Sequence, residues 1–224
     1  MKLSTQVSVF GAVFALSTAL VSAETIQLGS YQTDGSNLGN RNSAVLYAGS
    51  LSTTYALNPG SAWAPAGQGS VWVSNNPGSG PEGNYIAPSG TYTYTTTFNT
   101  TGNSYIGSIS VLADDTTSVI FNGHTLILPG LLVSDAHCAD GPPNCVTPTL
   151  VTLPSAFFLD GLNTLRFDLS QTIHSAGLDF YGSAVSTSDQ TNIAQTPEPG
   201  SLFLLGTGLI GSAGLLLRKA RAQA

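Results

Sequence analysis

Asp114 and Asp115 have the strongest claim to chemistry in this sequence, because paired acids can divide the roles of proton donor and proton acceptor. Side chains of neighbouring strand residues point to opposite faces, however. The pair is therefore expected not to converge on a substrate but to serve a turn, each carboxylate accepting nearby backbone N–H groups. Oxygen-rich loops of this kind also suit a structural calcium ion, and Asp34-Gly35-Ser36-Asn37 is a second one, although it lacks the full calcium-loop pattern. No other cofactor is expected. His137 beside Cys138 invites a zinc reading, yet Cys138, Cys145 and one histidine do not supply the two paired-ligand spacings of a zinc site. In an oxidising compartment Cys138 and Cys145 are expected to form a disulfide that pins a Pro-rich insertion.

Nucleophilic catalysis has no foothold. There is no Gly-x-Ser-x-Gly elbow, and the Gly-rich stretches lack the lysine of a phosphate loop. Trp63, Tyr85 and Tyr181 are the candidates for stacking on sugar rings, set against the commoner use of aromatics as core or rim packing. Trp72, beside a strand region, is expected to be buried. A secreted polysaccharide hydrolase using surface carboxylates such as Asp114 or Asp160 is the competing reading, and it requires two facing carboxyl groups.

These residues sit in a chain with few charges. Asp, Glu, Lys and Arg make up 8% of 224 residues, against roughly a quarter in an average soluble domain. Residues 24–196 hold only Arg41 and Arg166 against eleven acids, a net charge of −9. Nucleic acid is excluded as a partner, since phosphates need a basic face from which counterions are released.

Period-two patterns recur through the same region. Tyr92, Tyr94, Thr96 and Phe98 alternate with Thr91, Thr93, Thr95 and Thr97, which predicts a strand with rings on one face and hydroxyls on the other. Ile109, Val111 and Ala113 form another such set, as do Leu165, Phe167 and Leu169, and Leu178 with Phe180 against Asp179 and Tyr181. Asn122-Gly123 between apolar runs predicts a type I′ hairpin, and Gly161-Leu162-Asn163 a second turn. Proline and glycine clusters at 75–83 and 140–148 mark long loops. Short strands at such intervals predict an all-β fold, a sandwich or jelly roll.

Both ends of the chain read as addresses. Lys2, an apolar run from Val7 to Leu20 and the small residues Val21-Ser22-Ala23 predict a signal peptide over 1–23, cut before Glu24. At the other end Pro197-Glu198-Pro199 interrupts the backbone, an uncharged segment follows over 201–217, and Arg218, Lys219 and Arg221 supply a basic stop on the cytoplasmic side. At ~1.5 Å per residue its apolar run from Leu202 to Leu217 reaches about 24 Å, short of the ~30 Å hydrocarbon core, and four glycines loosen it. It suits a temporary tether better than a permanent anchor.

Pro-Glu-Pro, a Gly-rich apolar helix and an Arg/Lys end together resemble the PEP-CTERM sorting signal of Gram-negative bacteria that make exopolysaccharide. The resemblance implies an exosortase that recognises Pro197, Glu198 and Pro199 and removes the tail. The intermediate would sit in the inner membrane, and the product would go to the cell surface or extracellular matrix. The middle, over residues 60–185, is similar to galactose-binding-like jelly rolls through its Asp-Asp, Val-x-x-Asn-Gly and Gly-Leu-Asn-x-Leu segments. The resulting expectation is a signal peptide (1–23), a β-sandwich domain (24–190), and a linker with the sorting signal (191–224). The protein would be a non-enzymatic surface protein with extracellular polysaccharide as a candidate partner.

Overall fold

Alternation of apolar and polar side chains is realised as two antiparallel sheets in the computed structural model, which describes residues 23–30, 43–102, 104–132, 138–172 and 174–187. The described strands are β1 (Thr25–Gly29), β2 (Ser43–Tyr47), β3 (Ser50–Thr53), β4 (Tyr55–Leu57), β5 (Trp72–Ser74), β6 (Gly90–Thr100), β7 (Tyr105–Asp114), β8 (Thr116–Phe121), β9 (His124–Ile127), β10 (Thr149–Leu153), β11 (Gly161–Gln171) and β12 (Gly177–Ser186). The only described helix is one 3-10 turn, Ser155–Phe157.

The first sheet runs β10-β7-β12-β5-β4, with β1 also paired to β12, and the second runs β3-β2-β6-β11-β8-β9. Its longest ladder joins β6 to β11 from Gly161↔Thr100 to Gln171↔Gly90. Tyr92, Tyr94, Phe121, Leu165, Phe167 and Leu169 from the second sheet meet Ile109, Val111, Val151, Leu178 and Phe180 from the first in one core. This layering is consistent with a β-sandwich.

The hairpin forms where the Asn-Gly pair predicts it. Asn122 has φ 48° and Gly123 φ 84°, the two positive angles a type I′ turn requires, and β8 pairs with β9 across them. Gly161-Leu162-Asn163 differs from expectation: Gly161 does take φ 86°, but all three residues begin β11 rather than standing before it. Among the described residues no strand occupies 75–89, 128–132 or 138–148, the stretches containing the proline and glycine clusters.

The second sheet keeps its threonine face partly open, but the first sheet has its outer face covered. Leu57, Trp72 and Leu112 project from that outer face and bury against Trp63 and Cys145, which belong to the segments between β4 and β5 and between β9 and β10. Asp179, expected to face outward beside Leu178 and Phe180, is accordingly 0% exposed. This covered face positions the candidate site.

Candidate functional site

Asp114 shares the outer face of β7 with Leu112 and ends that strand, while Asp115 lies in the corner before β8. Because Asp115 is not a strand residue, the alternation rule does not separate the two side chains. They lie against each other, each residue 2% exposed. This corrects the sequence expectation that the pair would diverge. The Trp63 indole N–H donates to Asp114 Oδ2 at 2.7 Å. The Thr172 backbone N–H and hydroxyl both donate to Asp115 Oδ2 at 2.8 Å. Oδ1 of each aspartate is left buried without a partner.

Burial in this setting disfavours the charged form, and a second carboxyl alongside adds to it. Asp114 is pushed up to about 9, by desolvation first and by the adjoining Asp115 carboxyl next, against the lowering effect of the Trp63 N–H.

Asp114 forms part of the wall of a cleft of about 300 Å³, with Trp63, Pro81, His174 and both cysteines around it. The cysteines are joined as the expected disulfide. A carboxylate oxygen of Asp114 and the two Sγ atoms all lie within 4.8 Å of one another. A smaller hollow of about 130 Å³ shares Pro81, His174 and Ser175 with the cleft and adds Asn84, Tyr85 and Ile86.

Residues 195–221 match the model of the PEP-CTERM protein-sorting motif. The chain carries a PEP-CTERM sorting signal. It is therefore an exported protein, tethered transiently in the membrane and processed by an exosortase. No curated protein matches the chain. Among solved structures, a family 35 carbohydrate binding module from Clostridium thermocellum aligns with a TM-score of 0.34 and 12% identity, over 74% of this chain and 100% of that one. Similarity of that size leaves fold and ligand to be argued from this chain's own residues.

The PEP-CTERM residues Pro197, Glu198 and Pro199, the basic stop Arg218, Lys219 and Arg221, the apolar segment 201–217 and residues 1–22 of the signal peptide lie outside the described residues. So do Asp34-Gly35-Ser36-Asn37 and His137. No helix among the described residues is long and apolar enough to cross a membrane.

Of the aromatic candidates, Trp63 and Tyr85 come to adjoining hollows, and Tyr181 does not. Trp63 is 4% exposed and packs on Trp72 with ring centroids 4.3 Å apart. It therefore serves as wall rather than platform. Tyr85 is half-buried beside Ile86, which is 60% exposed. Tyr181 is half-buried with Gly67 packed so tightly on its ring that a Cβ there would collide with it. Asp160 is exposed and accepts the Gly102 N–H at 2.7 Å. It precedes β11, whereas Asp115 bonds Thr172 just after that strand. From Asp160 to Thr172 the extended chain covers about 40 Å, at ~3.3 Å per residue.

Sequence reasoning missed three contributors. Asp179 accepts from Ser30 Oγ at 2.9 Å and from the Gly67 N–H at 2.9 Å, which ties down the segment carrying Trp63. Pro81 and His174 line both hollows, yet they lie far apart in sequence and neither stands in a motif. No pattern in the chain signals their meeting.

Proposed function

We propose that this exported protein is a non-enzymatic component of the cell surface or extracellular matrix of a Gram-negative bacterium, binding neutral, hydroxyl-rich glycan at the two adjoining hollows. The sorting motif over 195–221 carries the export half of this reading. Support for the glycan half comes from the ring of Tyr85, the exposed Ile86, and the polar Asn84 and Ser175 around one small concavity, the mixture of apolar face and polar edge that a sugar ring presents. The order of the strands and the Asp-Asp and Asn-Gly corners support a galactose-binding-like jelly roll for the domain.

A hydrolytic role is less well supported by the carboxylates. A retaining mechanism uses two groups about 5–5.5 Å apart and an inverting one a wider gap, whereas Asp114 and Asp115 touch and Asp160 lies beyond the far end of β11. If the purified protein released reducing ends from the host's polysaccharide, the hydrolase reading would replace this one.

Intact-mass measurement of the secreted form reads both termini at once. The expected mass begins at Glu24 and lacks the tail, and Glu198→Ala is expected to accumulate as the unprocessed membrane form. Normal processing of that variant would refute sorting through the Pro-Glu-Pro site. A glycan array probed with the secreted protein, with and without Ca²⁺, tests the ligand. Tyr85→Ala should lower the affinity for any bound glycan at least about tenfold, or ~1.4 kcal/mol, and undiminished binding would remove the hollow from consideration.

A further inference from the structure

We propose that Asp114 and Asp115 form a binding site for a divalent cation of the calcium class, reached through the cleft that Asp114 lines. Two adjacent carboxylates, each 2% exposed, bring two like charges into a region where the described residues give them three side-chain-directed hydrogen-bond donors, one from Trp63 and two from Thr172. All three donors go to the Oδ2 atoms. Asp114 Oδ1 and Asp115 Oδ1 remain buried and unpartnered, and native interiors rarely leave such atoms so. Arg166, the one lysine or arginine among the described residues, is paired with Asp168 at 3.0 Å.

The donor chemistry selects the ion. Carboxylate oxygens suit a hard cation, while the two sulfurs nearby are tied up in a disulfide and cannot act as the thiolates a soft metal would take. Gln171, next to the Thr172 that Asp115 holds, is 4% exposed, and both its amide atoms are also without partners. The cleft supplies the entry path and room for water to complete the coordination, since two carboxylates alone fill only part of a calcium ion's shell. Nothing in this site requires a glycan, so its test is independent of sugar binding.

The test uses the secreted protein, freed of metal with chelator and titrated calorimetrically with CaCl₂ alone. One equivalent should bind with Kd on the order of 0.1–1 mM, as in extracellular modules, and raise Tm as the ion concentration passes Kd. Asp114→Asn and Asp115→Asn should each abolish the heat, while Asp34→Asn and Asp168→Asn leave it unchanged. Terbium offers a second readout on an otherwise native pair. Because the Trp63 indole donates directly to Asp114, exciting tryptophan should sensitise Tb³⁺ emission, and Trp63→Phe should lose most of it. Absence of heat and of any Tm shift in the native protein at ten millimolar Ca²⁺ overturns the proposal. So does binding that survives both aspartate substitutions or disappears with Asp34→Asn. If the aspartate variants fail to fold, unchanged terbium emission in Trp63→Phe overturns it and loss of emission supports it.

Discussion

At the scale of single residues, buried polar groups set how the domain responds to pH and to mutation. Asp179 is raised above the ordinary carboxylate range, because desolvation outweighs the hydrogen bonds from Gly67, Ser70 and Ser30. A carboxyl with a raised pKa in the fold binds its proton more tightly there than in the unfolded chain. Its contribution to stability is thus complete below the unfolded value near 4 and is lost as pH climbs through the folded value. Urea denaturation of Asp179→Asn should show a flatter dependence on pH than the native protein between pH 4 and 8, and parallel curves would show that Asp179 does not titrate in that window. Asn163 is a second case. Its carboxamide oxygen accepts from Leu159 N–H and from Asn122 Nδ2 at 2.9 and 2.8 Å, and its NH₂ is directed at Thr100 Oγ1, Leu159 O and Gly161 O. Asn163→Ala would leave several buried groups unsatisfied and should cost about 2–4 kcal/mol in urea unfolding. A loss below 1 kcal/mol would mean that water replaces the side chain. The sequence marks Asn163 only as a turn residue, because a one-dimensional pattern records its type but not the three stretches of chain its amide joins.

At the scale of elements, the strands with strict alternation were legible and the covered face was not. Tyr92 to Phe98 and Leu165 to Leu169 reveal which side meets the core, since one face is apolar and the other hydroxylated. β12 defeats the same reasoning: Leu178 and Phe180 enter the main core, but Asp179 is buried on the other side under the segment that carries Trp63. Period two reports which residues differ in face, and says nothing about a loop folding back over the polar one. That loop layer is held by a backbone bond from Ala64 N–H to Cys145 O at 2.9 Å and by the disulfide closing the turn around Pro142 and Pro143. Replacing Cys138 and Cys145 with serine should destabilise the domain by about 2.5 kcal/mol on the loop-entropy estimate, measured as a lower urea midpoint at unchanged slope. A changed slope would instead report that the whole outer layer detaches early.

At the scale of the whole molecule, the folded body begins at the residue where the leader is expected to be cut. Glu24 O accepts the Ser186 N–H at 2.9 Å, and its carboxylate accepts the hydroxyls of Thr101 and Tyr105. Placing additional residues ahead of Glu24 should leave these bonds intact only if the added chain runs outward. Substituting Glu24→Ala should lower stability modestly, by about 1 kcal/mol or less for exposed polar contacts. β1 is paired along its length with β12, from Thr25↔Val185 to Gly29↔Tyr181. The first strand therefore waits for the last, because its ladder cannot form until Gly177–Ser186 is present to receive it. In a chain exported leader first, as residues 1–23 lead one to expect, the sheet would close only after nearly the whole domain had crossed, and an exosortase acting on residues 195–221 would meet a body completed at the end of export.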